Sequence, residues 1–117
     1  MKKDLKIRST KFAHKCVKLS LSLPKNDLGF HMKKQLIRCS TSVAANYRAA
    51  SLAQTKKGFI SKLSIVIEEA DESIFWIEFA KNENFLINSD DEILNEAKEL
   101  TSIFIASRKT AQKTVSS

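Results

Sequence analysis

Apolar side chains recur along this chain at the three- and four-residue spacing of an α-helix, in four separate segments. In the first, over about 6–23, Phe12, Cys16, Leu19 and Leu23 follow i, i+4, i+7 and i+11 and make one stripe. Pro24 stops that helix, and Pro24-Lys25-Asn26-Asp27 carries turn chemistry. The second, over about 30–53, places Met32, Leu36, Cys39, Val43, Tyr47 and Ala50 on one face. Thr55 is positioned to cap a third helix over about 56–81, whose inward stripe reads Phe59, Leu63, Val66, Ala70, Ile74 and Ile77. Phe85-Leu86-Ile87 is expected to pack over one bundle end. Ser89, with Glu92 at the capping-box position, then predicts a fourth helix over about 90–110 with the stripe Ile93, Ala97, Leu100 and Phe104. Beyond it, 110–117 is expected to fray.

Four amphipathic helices joined by short links predict an all-α fold, an antiparallel up-down four-helix bundle formed by 1–117 as one domain. Composition agrees, because the chain has two glycines and one proline where average usage gives roughly eight and six. No apolar run approaches the roughly 18 residues of a membrane span, so no membrane partner is expected. The basic N-terminus has no apolar segment or small-residue cleavage site after it, and a cytoplasmic location is expected. Cys16 and Cys39 are too few for a disulfide framework and read as small buried apolar residues.

Charge adds what periodicity cannot. Residues 1–62 hold fifteen Lys/Arg against two acids, and 63–117 hold five against eleven, giving +13 and −6. On the second helix Lys34, Arg38 and Arg48 share one outward sector, with Lys33 beside it, and this stripe together with the Lys-rich first helix is a candidate nucleic-acid-binding surface. The other reading is that the charged halves neutralise each other within a subunit or between subunits. On the third helix the outward face carries Ile65, Glu68, Glu72, Trp76 and Phe79, a mixture of apolar and acidic groups that a lone bundle would leave wet. That pattern predicts a subunit interface, whose carboxylates are placed to pair with Arg38 or Arg48 of a neighbour. Ser42 and Asn46, one turn apart beside the core, read as a hydrogen-bonded pair that sets helix register. His14 and His31 read as surface or boundary residues.

Catalysis finds no constellation. The run Glu68-Glu69-Ala70-Asp71-Glu72 invites a carboxylate-bridged metal site, but the Glu-x-x-His repeats of such bundles are missing. Ser, Cys and His are scattered without a base and an orienting group, and two glycines cannot build a phosphate loop. No enzyme activity, metal or cofactor is expected.

The stretch Gln35-Leu36-Ile37-Arg38-Cys39-Ser40-Thr41-Ser42-Val43-Ala44-Ala45-Asn46-Tyr47-Arg48-Ala49-Ala50 resembles the signature helix of the bacterial four-helix bundle proteins encoded in intervening sequences of large-subunit ribosomal RNA genes. Leu19-Ser20-Leu21-Ser22-Leu23-Pro24 before it agrees, as do Phe59-Ile60-Ser61-Lys62-Leu63, Glu68-Glu69-Ala70-Asp71-Glu72-Ser73 and Trp76 after it. Many members have Asn-Ile-Ala-Glu-Gly where this chain has Asn46-Tyr47-Arg48-Ala49-Ala50, so it resembles a separate branch. The resemblance implies a ring-like homopentamer without enzymatic activity. It is also similar to the accessory proteins of diversity-generating retroelements, basic pentamers that bind a reverse transcriptase and nucleic acid. A non-enzymatic homo-oligomer with a basic surface for RNA or DNA, or for a nucleoprotein partner, is therefore the leading expectation. The alternative is an interaction scaffold whose charged faces are used only in self-assembly.

Overall fold

The computed structural model describes residues 2–116; the side chains of 2–4, 89, 115 and 116 lie outside the description, and the expected cap at Ser89 falls among them. Four helices make up the fold: α1 (Lys2–Leu21), α2 (Asp27–Ser51), α3 (Lys56–Asn82) and α4 (Asp91–Ser116), with a short 3₁₀ turn, Asn88–Asp90, leading into α4. Short links return the chain each time, so successive helices run antiparallel. Contacts join α1 to α2, α2 to α3, α3 to α4 and, along a sparser seam, α1 to α4. The bundle measures 50 × 21 × 21 Å.

Local chemistry sets the helix ends. The Asn26 side chain accepts the Gly29 N–H at 2.8 Å, so α2 begins at Asp27, three residues before the apolar periodicity starts. Thr55 accepts the Gly58 N–H at 3.0 Å and caps α3. Asn84, at φ 60°, turns the chain out of α3 while Phe85 N–H reaches back to the Ala80 carbonyl at 3.0 Å. Asp90 accepts the Ile87 N–H at 3.1 Å ahead of α4. Helix α4 runs to Ser116, past the expected fraying point at 110, and Ala111 in that last stretch is buried.

Helix α1 ends at Leu21, short of the predicted 23, but the predicted positions pack inward: Phe12, Cys16 and Leu19 of α1, with Leu23 of the link, meet Met32, Leu36, Cys39, Val43, Tyr47 and Ala50 of α2, all buried. On α3 the buried line is Leu63, Val66, Ala70, Ser73, Ile77 and Ala80, with Phe59 and Ile74 half-buried at its margins. Leu94, Ala97, Leu100 and Phe104 complete the core from α4, and Ile93 is half-buried. Of the link after α3, Phe85 and Leu86 pack against the core, while Ile87 is 71% exposed.

Candidate nucleic-acid interface and aromatic face

The four basic positions on α2 do not share one environment. Lys34 and Arg48 are exposed, Lys33 is half-buried, and none of the three makes an ion pair among the described residues. Arg38 instead bridges to α3 of its own chain. Its guanidinium donates to Glu69 at 3.0 Å and also to Glu72, whose carboxylate accepts the Trp76 indole N–H at 3.1 Å. The hydrogen bond from Arg38, joined by the one from Trp76, holds the Glu72 carboxyl below its usual range. The pairing expected between this carboxylate face and a neighbouring subunit is thus made, for Arg38, inside the bundle. A second intrachain bridge joins Arg8 of α1 to Glu96 of α4 at 2.7 Å.

With Arg38 and Arg8 committed, the described cations that form no ion pair run the length of the rod, from Lys18, Lys25, Lys33 and Lys34 at one end to a cluster at the other, while the described acids are absent from that second end. The N-terminus of α1, the C-terminus of α2, the N-terminus of α3 and the C-terminus of α4 meet at one end. Arg48, Lys56, Lys57, Lys62, Lys109 and Lys113 belong to it and form no ion pair among the described residues; Arg108 donates to the Ser64 hydroxyl at 3.3 Å. No Asp or Glu occurs between Asp27 and Glu68, nor after Glu99, so the described side chains at this end include no carboxylate. The opposite end collects Asp27, Glu78, Glu83, Asp90, Asp91 and Glu92 together with Lys18, Lys25, Lys33 and Lys34, and there Lys81 pairs with Asp91 at 3.0 Å and Lys98 with Glu78 at 3.5 Å. The molecule is a rod with one cationic end and one end of mixed charge.

The outward face of α3 carries the predicted interface residues. Ile65 (39% exposed) and Glu68 face solvent; Glu72 and Trp76 are half-buried toward α2, and Phe79 is half-buried beside Trp76. Phe75, 52% exposed, joins them, its ring 4.9 Å from Trp76 and 5.9 Å from Phe79. The exposed His31 of α2 meets the Trp76 ring at 5.4 Å, edge to face. Phe75 was detectable: at about 100° per residue it points outward within about 20° of Glu68, on the side away from Phe79, but it falls outside the i, i+3, i+7 series through Trp76.

Other candidate groups are structural. Asn46 donates to the Ser42 hydroxyl at 2.8 Å and to the Ser42 carbonyl at 3.0 Å, forming a half-buried pair on α2. Cys16 and Cys39 are free and buried. Burial pushes both thiols up, Cys39 to about 11, so neither is a thiolate at neutral pH. Among the described residues no group of three His, Cys, Asp or Glu is arranged to hold a metal ion, and no helix is long and apolar enough to cross a membrane.

The fold and its sequence have known counterparts. A crystal structure at 1.70 Å of a protein with unknown function from the S23 ribosomal protein family of Bacteroides thetaiotaomicron VPI-5482 is 33% identical and superposes with a TM-score of 0.84; the alignment covers 93% of this chain and 99% of that one. No curated protein matches. The model of the 23S rRNA-intervening sequence protein family matches residues 2–106, which takes in α1, α2, α3 and α4 as far as residue 106. On that match the chain belongs to the 23S rRNA-intervening sequence protein family.

Proposed function

We propose that this protein is a non-enzymatic homo-oligomer that binds RNA or DNA through its cationic bundle end and the adjoining outward face of α2, and that it self-associates through the aromatic face of α3. The cationic cluster at the end without a described carboxylate carries the first part. Six cations gathered without a described carboxylate repel one another, and a polyanion relieves that repulsion while releasing its own counterions. Lys34 and Arg48 extend the surface along α2; Arg38 contributes mainly by joining α2 to α3.

An electrophoretic shift series from low to physiological salt tests this. Binding should be tightest at low ionic strength and fall linearly in log–log form, and Arg48→Glu with Lys57→Glu should flatten that slope by about two ion equivalents. Absence of any shift at low salt removes the reading and leaves the assembly scaffold as the better account.

Self-association is supported by the Phe75, Trp76 and Phe79 cluster, since exposed aromatic patches of this kind favour protein contacts. A pentamer is the subunit number that the family resemblance implies. Phe75→Glu, which places a desolvated charge in the centre of the patch, should reduce the particle mass measured by light scattering to that of the monomer. An unchanged mass would place the interface elsewhere.

A further inference from the structure

The cationic end also contains a cavity of 720 Å³, within the span of about 300–1,000 Å³ usual for small-ligand pockets. Its lining sorts by depth. Leu5, Tyr47, Ala50 and Ala111 are buried and make an apolar inner wall, beside which the half-buried Phe59 and Ile103 stand. Ser51, Gln54, Thr55, Ser107 and Thr110 are half-buried or exposed and bring hydroxyl and amide groups to the mouth, where Lys56 adds a positive charge. Arg48, Lys57 and Lys109 are sequence neighbours of these lining positions.

Such a cavity offers three kinds of contact together: an apolar wall containing aromatic rings, a ring of neutral groups that both donate and accept hydrogen bonds, and a cationic rim. An aliphatic anion would use the first and the last and leave the neutral ring idle. A nucleotide uses all three, through its base face, its base and sugar edges, and its phosphate.

We propose that this cavity receives an unstacked nucleotide of a single-stranded nucleic acid, the base lying against the apolar wall beside Phe59 and the flanking phosphates on Lys56 and its cationic neighbours. The proposal rests on the nucleic-acid reading above and narrows it. A duplex keeps its bases stacked within the helix and would have to extrude one to occupy the same space, so single strands bind in preference.

Fluorescence anisotropy on the full chain, with a labelled oligo(rA) strand and the corresponding oligo(rA)·oligo(rU) duplex at matched salt, tests it. The unmodified protein should hold the strand about tenfold tighter than the duplex, the scale of one base–aromatic stack. Ala106→Trp fills the cavity from an exposed position on α4, and Thr110→Trp does so from a second. Each should abolish the preference while leaving duplex affinity and its salt slope unchanged, with helix content checked by circular dichroism. Equal affinity for strand and duplex in the unmodified protein, or a preference that survives both filled variants, overturns the cavity assignment while the wider reading stands. Failure to bind either probe at low salt removes that wider reading as well.

Discussion

Gly29→Ala is expected to lower the unfolding free energy by about 2–4 kcal/mol, a large effect for one methyl group on a helix. Gly29 sits in the first turn of α2, where a Cβ would come to 1.8 Å from the Pro24 carbonyl oxygen and 2.8 Å from the Pro24 carbonyl carbon. Backbone atoms cannot rotate away as the tip of a side chain can, so the turn between α1 and α2 has to move. That movement pulls on Asn26, whose side chain accepts the Gly29 N–H, and so the helix cap weakens together with the packing. Gly58 is the internal control. It occupies the same place in α3, yet its added Cβ would meet the Thr55 hydroxyl at 3.1 Å and Ala53 at 3.6 Å. There the strain opposes the helix preference of alanine, worth about 0.5–1 kcal/mol, and Gly58→Ala should stay within about 1 kcal/mol of the parent. Urea unfolding of both variants measures the contrast; equal midpoints would show that the Pro24 turn yields freely.

The Gly29 contact also marks a limit of what sequence reading recovers. Pro24 and Asn26 were legible as a turn, because their chemistry is local; that the Pro24 carbonyl closes onto Gly29 depends on the entry angle of α2, which no local rule supplies. The inward stripes of α1 and α2 could be read residue by residue, since polar groups bound them clearly. Helix α3 was harder. It is apolar over much of its circumference, so the phase of its buried face is weakly determined: large Phe59 and Ile74 are the natural core choices by hydrophobicity, whereas the packed line takes the small Ser73 and Ala80, with Ser73 in contact with Cys39 of α2. Charge followed the same division. The excess of Lys and Arg before residue 63 was countable, but the commitment of Arg38 to Glu69 and Glu72, across more than thirty positions of sequence, came only with the docking of α2 on α3. The cationic end and its cavity appear only when four helix termini are brought together, because a void is a property of packing and has no sequence period.

Phe104→Ala should be the most damaging single truncation considered, costing about 3–5 kcal/mol and lowering the melting temperature by roughly 10–20 °C. Phe104 is 0% exposed and its ring lies 5.4 Å from that of Tyr47, tilted by 33°, so truncation removes a buried aromatic pair as well as leaving a cavity. The rods of α2 and α4 are diagonal in the bundle and meet through such central side chains, which leaves little freedom for the surrounding helices to collapse into the space. Ile87→Ala, at a side chain 71% exposed, should change stability by less than about 0.5 kcal/mol and separates burial from hydrophobicity as the cause. The consequence reaches the cationic end. Tyr47 is at once the partner of Phe104 and part of the inner wall of the end cavity, and burial raises the pKa of its phenol. Loosening Phe104 therefore frees the wall against which a base would rest. In conditions where Phe104→Ala is still folded, its preference for single strand over duplex should shrink while its salt slope, set by the untouched lysines and arginines, stays the same. Calorimetric melting and anisotropy on the same sample measure the two effects; a full preference in the folded variant would show that Tyr47 holds its place without the Phe104 ring.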